Sequence, residues 1–344
     1  MKVLGVETSC DETSIAVYDS EKGLLSNVVS SQIDVHREWG GVFPELAARE
    51  HTKNIIPVLD KALKDAKVSL QEIDVIAATF APGLIVSLVI GVSFAKALSF
   101  ALDKPLVPVH HIEAHIFGAL LEEEVKFPFL ALVVSGGHTE LYIINGFEDY
   151  NYLGGTLDDA VGEAYDKVAR MLDLEYPGGP VIDKLYSPEC ACIDFPTPLK
   201  GKKEHRFNFS FSGLKADVLR KVESGKFSKE EIASSFQEKV VDILVSKTVD
   251  AAKEYAVKAI VVAGGVSANS LLRKKLTEKA ESMGLEVVFP PIYLCTDNGA
   301  MVAYTGYLRA LKRKYVGYDF KPIARIRMDK FVELLDQYLT ASCL

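Results

Sequence analysis

His111 and His115 stand four residues apart in the segment His110-His111-Ile112-Glu113-Ala114-His115. In a helix that spacing turns both imidazoles to one face, where they can share a metal ion. Two histidines around a glutamate also suggest a zinc protease, but there the acid directly follows the first histidine. Glu113 comes two positions after His111, about 200° around the helix at ~100° per residue, so it faces away from such an ion. Two glycine turns follow apolar runs: Ser135-Gly136-Gly137 after Phe129-Leu130-Ala131-Leu132-Val133-Val134, and Gly264-Gly265 after Ala259-Ile260-Val261-Val262-Ala263. Backbone N–H groups at such turns can receive an anion or let a nucleotide approach closely. Neither turn has the lysine of a P-loop or the third glycine of a dinucleotide fingerprint.

The elements that must hold these residues can be read from the apolar pattern. Residues 105–109 form a short buried strand and 116–124 an apolar-then-acidic helix, placing His111 at a strand-to-helix junction of the kind where α/β proteins bind ligands. Residues 2–7 and 13–18 make a β-hairpin with the polar tip Thr8-Ser9-Cys10-Asp11-Glu12, and 24–31 can extend the sheet. A helix is expected over 44–66, a strand over 74–80 and a buried helix over 84–102. The strand–turn–strand opening recurs at 129–144, which suggests two lobes of related design around a shared cleft. Helices over 157–172, 212–223 and 229–255 then precede the strand at 259–263.

The bulk properties agree with an ordinary soluble globular protein. The chain has 344 residues, long enough for two domains, with 49% hydrophobic and 25% charged residues. A net charge of -8 argues against a surface that grips nucleic acid everywhere. Local basic segments remain at 200–206, 273–275 and 312–314, each reading first as a solvated face. Cys10, Cys190, Cys192, Cys295 and Cys343 contain no Cys-x-x-Cys pair, so neither a disulfide framework nor a zinc ribbon is indicated, and a reducing cytoplasm fits. Residues 1–7 lack the features of a signal peptide.

Six motifs, in order, resemble the TsaD/Gcp family of tRNA N6-adenosine threonylcarbamoyltransferases. They are Glu7-Thr8-Ser9-Cys10-Asp11-Glu12-Thr13, His111-Ile112-Glu113-Ala114-His115, Val134-Ser135-Gly136-Gly137-His138-Thr139, Tyr176-Pro177-Gly178-Gly179-Pro180, Ala263-Gly264-Gly265-Val266-Ser267-Ala268-Asn269 and Cys295-Thr296-Asp297-Asn298-Gly299-Ala300-Met301. The resemblance covers residues 2–316, and residues 157–167 look like the bacterial and organellar branch. It implies an α/β, two-lobed actin-like, sugar-kinase and heat-shock-ATPase (ASKHA) fold with a helical insertion in the second lobe. The expected division is 1–128 for the first lobe and 129–320 for the second, whose final helix packs back towards the first. Residues 321–344 form a tail of unread role.

The same resemblance implies the site. Asp297, expected at the N-cap of the final helix, would join His111 and His115 from the second lobe around one divalent ion, Fe(2+) or Zn(2+). Val133, Val134, Ser135, Gly136 and Gly137 would hold the threonylcarbamoyl and phosphate part of L-threonylcarbamoyl-adenylate. Asp166, Gly179, Asp183 and Asn269 would hold its nucleoside. Asp11 or Glu12 would orient, or take a proton from, the attacking adenosine amine of tRNA; Cys10 has no identifiable base and no nucleophilic role. A TsaB-like paralogue and a TsaE-like ATPase are the implied partners, with no membrane. The alternative, an ATP-hydrolysing kinase or chaperone of the same fold, leaves the histidine pair without a task. An inactive scaffold of the TsaB kind would lack the pair.

Overall fold

The computed structural model describes residues 1–342 as two compact units. Unit 1 combines Met1–Glu122 with the segment from Thr296 onward; unit 2 is Glu123–Cys295. Unit 1 begins with β1 (Lys2–Glu7), β2 (Glu12–Asp19), β3 (Gly23–Ser31), α1 (Ile33–Arg37), α2 (Pro44–Ala66), β4 (Val75–Ala81), α3 (Ile85–Leu102), β5 (Leu106–His110) and α4 (His111–Gly118). Its sheet runs β3-β2-β1-β4-β5, antiparallel through the hairpins and parallel from β1 to β4 to β5. β4 is buried along its whole length, as suits an apolar central strand covered on both faces. The parallel register puts Glu7 and His110 at the same, carboxyl end of the sheet, the end where open α/β sheets take ligands.

Unit 2 repeats the topology. Its elements are β6 (Phe129–Val134), β7 (Thr139–Gly146), β8 (Asp149–Gly155), α5 (Val161–Met171), α6 (Gly178–Leu185), α7 (Ser212–Ser224), α8 (Lys229–Glu254), β9 (Ala259–Ala263), α9 (Ser270–Glu281), β10 (Glu286–Val288) and α10 (Ile292–Cys295). The sheet order β8-β7-β6-β9-β10 matches the first strand for strand, with β6 antiparallel to β7 and parallel to β9. The helices α5 to α8 stand between the third and fourth strands and build the core around Tyr165, Phe209, Phe211 and Phe236.

The chain then returns to unit 1 with α11 (Gly299–Leu311) and α12 (Met328–Ser342). α11 lies on β1 so closely that a Cβ on Gly5 would sit 2.4 Å from the Ala303 nitrogen. Residues 296–320, assigned to a second lobe from the sequence, therefore belong to the first unit. So does the unread tail, whose Phe331 and Leu335 enter the unit 1 core; Cys343 lies outside the described residues.

Three local expectations change. α4 stops at Gly118, where a Cβ would lie 2.6 Å from Met301 on α11. The carboxylates that follow, Glu122, Glu123 and Glu124, would also oppose the dipole of a longer helix. α5 starts at Val161, not 157, because Asp158 is held outside by the Phe211 N–H and the hydroxyls of Ser210 and Ser212. α3, long and apolar enough to span a bilayer, is buried on one face through Ser87, Leu88, Gly91, Val92 and Ala95, while Ile85, Val89 and Phe100 are exposed.

Candidate active site

β5 ends at His110 and α4 begins at His111, so the strand fixes where the histidine helix starts. His110 caps it: its Nδ1 accepts the Ile112 N–H at 3.2 Å, and its Nε2–H donates to the Ile326 carbonyl at 3.0 Å. One turn apart, the His111 and His115 rings meet edge to face with centroids 4.6 Å apart. His115 Nε2 lies 2.9 Å and His111 Nε2 3.5 Å from the same Asp297 oxygen. These ligand atoms all fall within 4.8 Å of one another, and both rings are buried.

Asp297 reaches the histidines because it does not cap α11. Asn298 does that, accepting the Met301 N–H at 3.0 Å, so the carboxylate expected at the N-cap is one residue early and turns to the rings. Asp297 also comes from the same unit as the histidines, not from a second lobe. Glu113, on the opposite side of α4, makes a bidentate pair with Arg309 at 2.7 Å, both side chains fully buried. The helix phase that removed the protease reading is thus the phase observed.

Glu7 belongs to the first motif, and its residue type and spacing alone indicate no role. It closes β1 fully buried, accepting from the Ser9 N–H at 2.5 Å and the Thr79 hydroxyl at 2.6 Å, and it lies 3.4 Å from His111 Nδ1. Ser9 Oγ stands 3.1 Å from the same nitrogen. Such a carboxylate behind a histidine sets the ring's orientation and basicity. The only signal in the sequence was an acid ending an otherwise apolar strand. Burial alone would lower the His111 pKa, but Asp297 and Glu7 outweigh it and hold the ring at about 9. Two imidazoles and a carboxylate on one buried corner suit a borderline divalent ion such as iron or zinc.

The tip residues Asp11 and Glu12 are both buried. Burial first, then the charges of Asp11 and Asp297, pushes the Glu12 carboxyl well above the usual range. Burial and the same carboxylates push the Cys10 thiol up, which keeps it from being a ready nucleophile.

In unit 2, Val133 and Val134 end β6 in the core, and Ser135 starts a turn closed by its N–H to the His138 carbonyl at 2.8 Å. Gly136 and Gly137 are exposed, and a Cβ on either would meet none of the described residues within 4 Å. The crowding falls on their neighbours. Gly264, at φ +92°, would put a Cβ 2.5 Å from the Val134 carbonyl, and Gly162 would put one 2.8 Å from that of Ser135. Asp166 on α5 accepts the Gly178 N–H at 2.8 Å, at the start of α6, and Gly179 next to it has open space. Asp183 accepts from Ser270 and, at 3.0 Å, from Gln237, whose Oε1 takes the Asn269 amide at 2.9 Å. Gln237, buried and joined by hydrogen bonds to two expected ligand residues, was not singled out from the sequence. The hydroxyls of Tyr165 and Ser267 are buried with no hydrogen-bond partner among the described residues.

Part of each basic segment is engaged within the fold, while Lys200, Lys202 and Lys203 are exposed. Arg273 donates to the Ser267 and Pro290 carbonyls at 2.7 and 2.6 Å and stacks over Phe289. Lys275 pairs with Glu238 and Asp242, Arg206 with Glu254, and Lys314 with Asp336.

The family model described as TsaD, tRNA N6-adenosine threonylcarbamoyltransferase, matches residues 23–304. A protein of that name from Persephonella marina is 65% identical over 337 residues, covering 97% of this chain and 98% of the relative. Another, from Fusobacterium nucleatum, is 50% identical over 95% of this chain and 98% of its own length. Among solved structures, full-length HypF in its phosphate- and nucleotide-bound form superposes with a TM-score of 0.62 at 14% identity, covering 90% of this chain and 46% of HypF. The (R)-2-hydroxyglutaryl-CoA dehydratase component A of Acidaminococcus fermentans gives 0.54 at 15% identity, covering 90% and 99%. Identities that low speak for the fold alone, the ASKHA architecture. The match across most of the chain and the full-length relatives establish that the protein belongs to the TsaD family of tRNA N6-adenosine threonylcarbamoyltransferases.

Proposed function

We propose that the protein transfers the threonylcarbamoyl group of L-threonylcarbamoyl-adenylate to N6 of adenosine 37 in tRNAs that read codons beginning with adenine, releasing AMP. The observation that carries this reading is the buried His111–His115–Asp297 corner backed by Glu7. A nucleotide-hydrolysing relative of the same fold has no use for it.

An exocyclic adenine amine is a weak nucleophile, so the chain must orient it and make the carbamoyl carbon accept it. His111, His115 and Asp297 would hold one Fe(2+) or Zn(2+) ion, which supplies Lewis acidity to the donor's oxygens. The turn at Ser135, Gly136 and Gly137, following Val133 and Val134, offers backbone N–H groups to the donor's phosphate. Asp166, Gly179, Asp183 and Asn269 hold the nucleoside, with the buried hydroxyls of Tyr165 and Ser267 beside them as further hydrogen-bonding groups. In the step itself a bond forms from N6 to the carbamoyl carbon and the bond from that carbon to the phosphate oxygen breaks. Glu12, whose raised pKa makes its carboxylate a stronger base than an ordinary one, takes the amine proton, with Asp11 orienting the amine.

The TsaB-like paralogue and TsaE-like ATPase are expected as helpers in the cytoplasm. The exposed Ile85, Val89 and Phe100 of α3 and Ile56 of α2 offer a partner an apolar face. The test is incubation with unmodified tRNA, threonylcarbamoyl-adenylate and both partners, reading threonylcarbamoyl-adenosine by mass spectrometry. Absence of the modified nucleoside where an authentic family member makes it rejects the proposal. In the same assay His111→Ala should lose both bound metal and most transfer while its circular dichroism stays native; retained metal would remove the triad.

A further inference from the structure

We propose that His51, Gln32 and His36 are positioning residues that hold the Cys10–Thr13 tip, and with it Asp11 and Glu12, in the conformation that meets the attacking amine. This rests on the role given to those two carboxylates above. His51 lies on α2, fully buried. Its Nε2–H donates to the Cys10 carbonyl at 2.9 Å, which can only accept, so its Nδ1 is the acceptor. That nitrogen takes the Thr13 hydroxyl at 2.8 Å and the Gln32 amide at 3.3 Å. The Gln32 backbone N–H donates to the Asp11 carbonyl at 3.1 Å. Two consecutive tip carbonyls and the Thr13 side chain are therefore held from one neighbouring element and one loop residue, bracketing Glu12.

The chain continues outward with every polarity matched. Gln32 Oε1 accepts from His36 Nε2 at 3.1 Å, and His36 Nδ1 accepts the Phe43 N–H at 3.3 Å. Gln32, His36 and His51 are all buried. Apolar side chains would fill this space without the desolvation cost of three polar groups; a fully paired chain instead specifies one arrangement of the backbone it grips. Its outer end is the exposed pair Trp39 and Phe43, stacked with centroids 5.7 Å apart. Trp39 is the chain's only tryptophan, so its emission reports the segment.

The experiment measures kcat and KM for tRNA and for threonylcarbamoyl-adenylate, together with metal content, in the complete reconstituted reaction. His51→Leu should lower kcat about 10- to 100-fold, the loss expected for a displacement near 1 Å, with both KM values and bound metal unchanged. His51→Gln, which can still donate and accept, should restore most of the rate. His36→Leu, one link further out, should give a smaller fall in kcat and a shifted Trp39 emission, and it carries the test if His51→Leu does not fold. Unchanged kcat in both leucine variants, or a glutamine variant no better than leucine, overturns the proposal. Asp11→Asn and Glu12→Gln separate the two levels. If they lower kcat while the chain variants do not, only the positioning role fails; if they too leave kcat intact, the carboxylate role fails and this proposal with it.

Discussion

Asp297 and Glu7 bracket one imidazole, each at its own ring nitrogen of His111. The ring held at about 9 is protonated at neutral pH, so a cation bound there would have to replace a proton. Glu12 carries the opposite strain. Its folded pKa is raised by burial and by Asp11 and Asp297, so its contribution favours the fold below the ordinary glutamate value and is lost as pH climbs through the folded value. Glu12→Gln should therefore raise the melting temperature of the metal-free protein at pH 7 by about 2 °C, with little difference from wild type at pH 4. Equal melting temperatures at both pH values would show that Glu12 is not strained. At this scale the histidines were legible because their spacing is a helix period. Glu7 and Gln237 were not, since a carboxylate or amide held by tertiary neighbours leaves no periodic trace.

Among elements, α4 bears the most demands in the shortest length. It presents two histidines on one side, places Glu113 on the other and stops where Met301 allows. The Glu113–Arg309 pair and the bond from Arg309 to the Pro108 carbonyl at 2.6 Å lock it to α11, which directly follows Asp297. Arg309→Met strands a fully buried carboxylate and should cost about 3–5 kcal/mol in urea unfolding, with weaker metal retention. Adding Glu113→Leu should recover most of that loss; no recovery would mean that Arg309 acts through packing alone. α2 was legible to the residue, because Pro44 marks its first turn and the apolar face persists to Ala66. β8 and β10 escaped notice: one alternates half-exposed polar residues and the other is three residues long, below any reliable period.

For the whole molecule, a shared sheet order is the plainest statement of its design. The duplicated hairpin was readable, whereas the return of the chain to unit 1 was not, because local pattern does not say which core a helix will join. α12 shows the effect: Phe331 packs beside Phe320 and the His110 ring, and Leu335 is fully buried. Removing residues 321–342 should therefore speed hydrogen exchange in β1, β4 and β5 while the amides of β6 and β9 keep their protection. Unchanged exchange in β5 would show the tail to be dispensable.

That return also sets an order of assembly on the ribosome. Unit 2 is one continuous stretch, Glu123–Cys295, and every residue it needs emerges in sequence. Unit 1 cannot be completed until the whole of unit 2 has been synthesised, because α11 follows it in the chain. Through that interval His111 and His115 lack Asp297, Glu113 has no guanidinium and the α11 face of β1 is bare. The nascent chain thus cannot bring His111, His115 and Asp297 together until its second unit has been made.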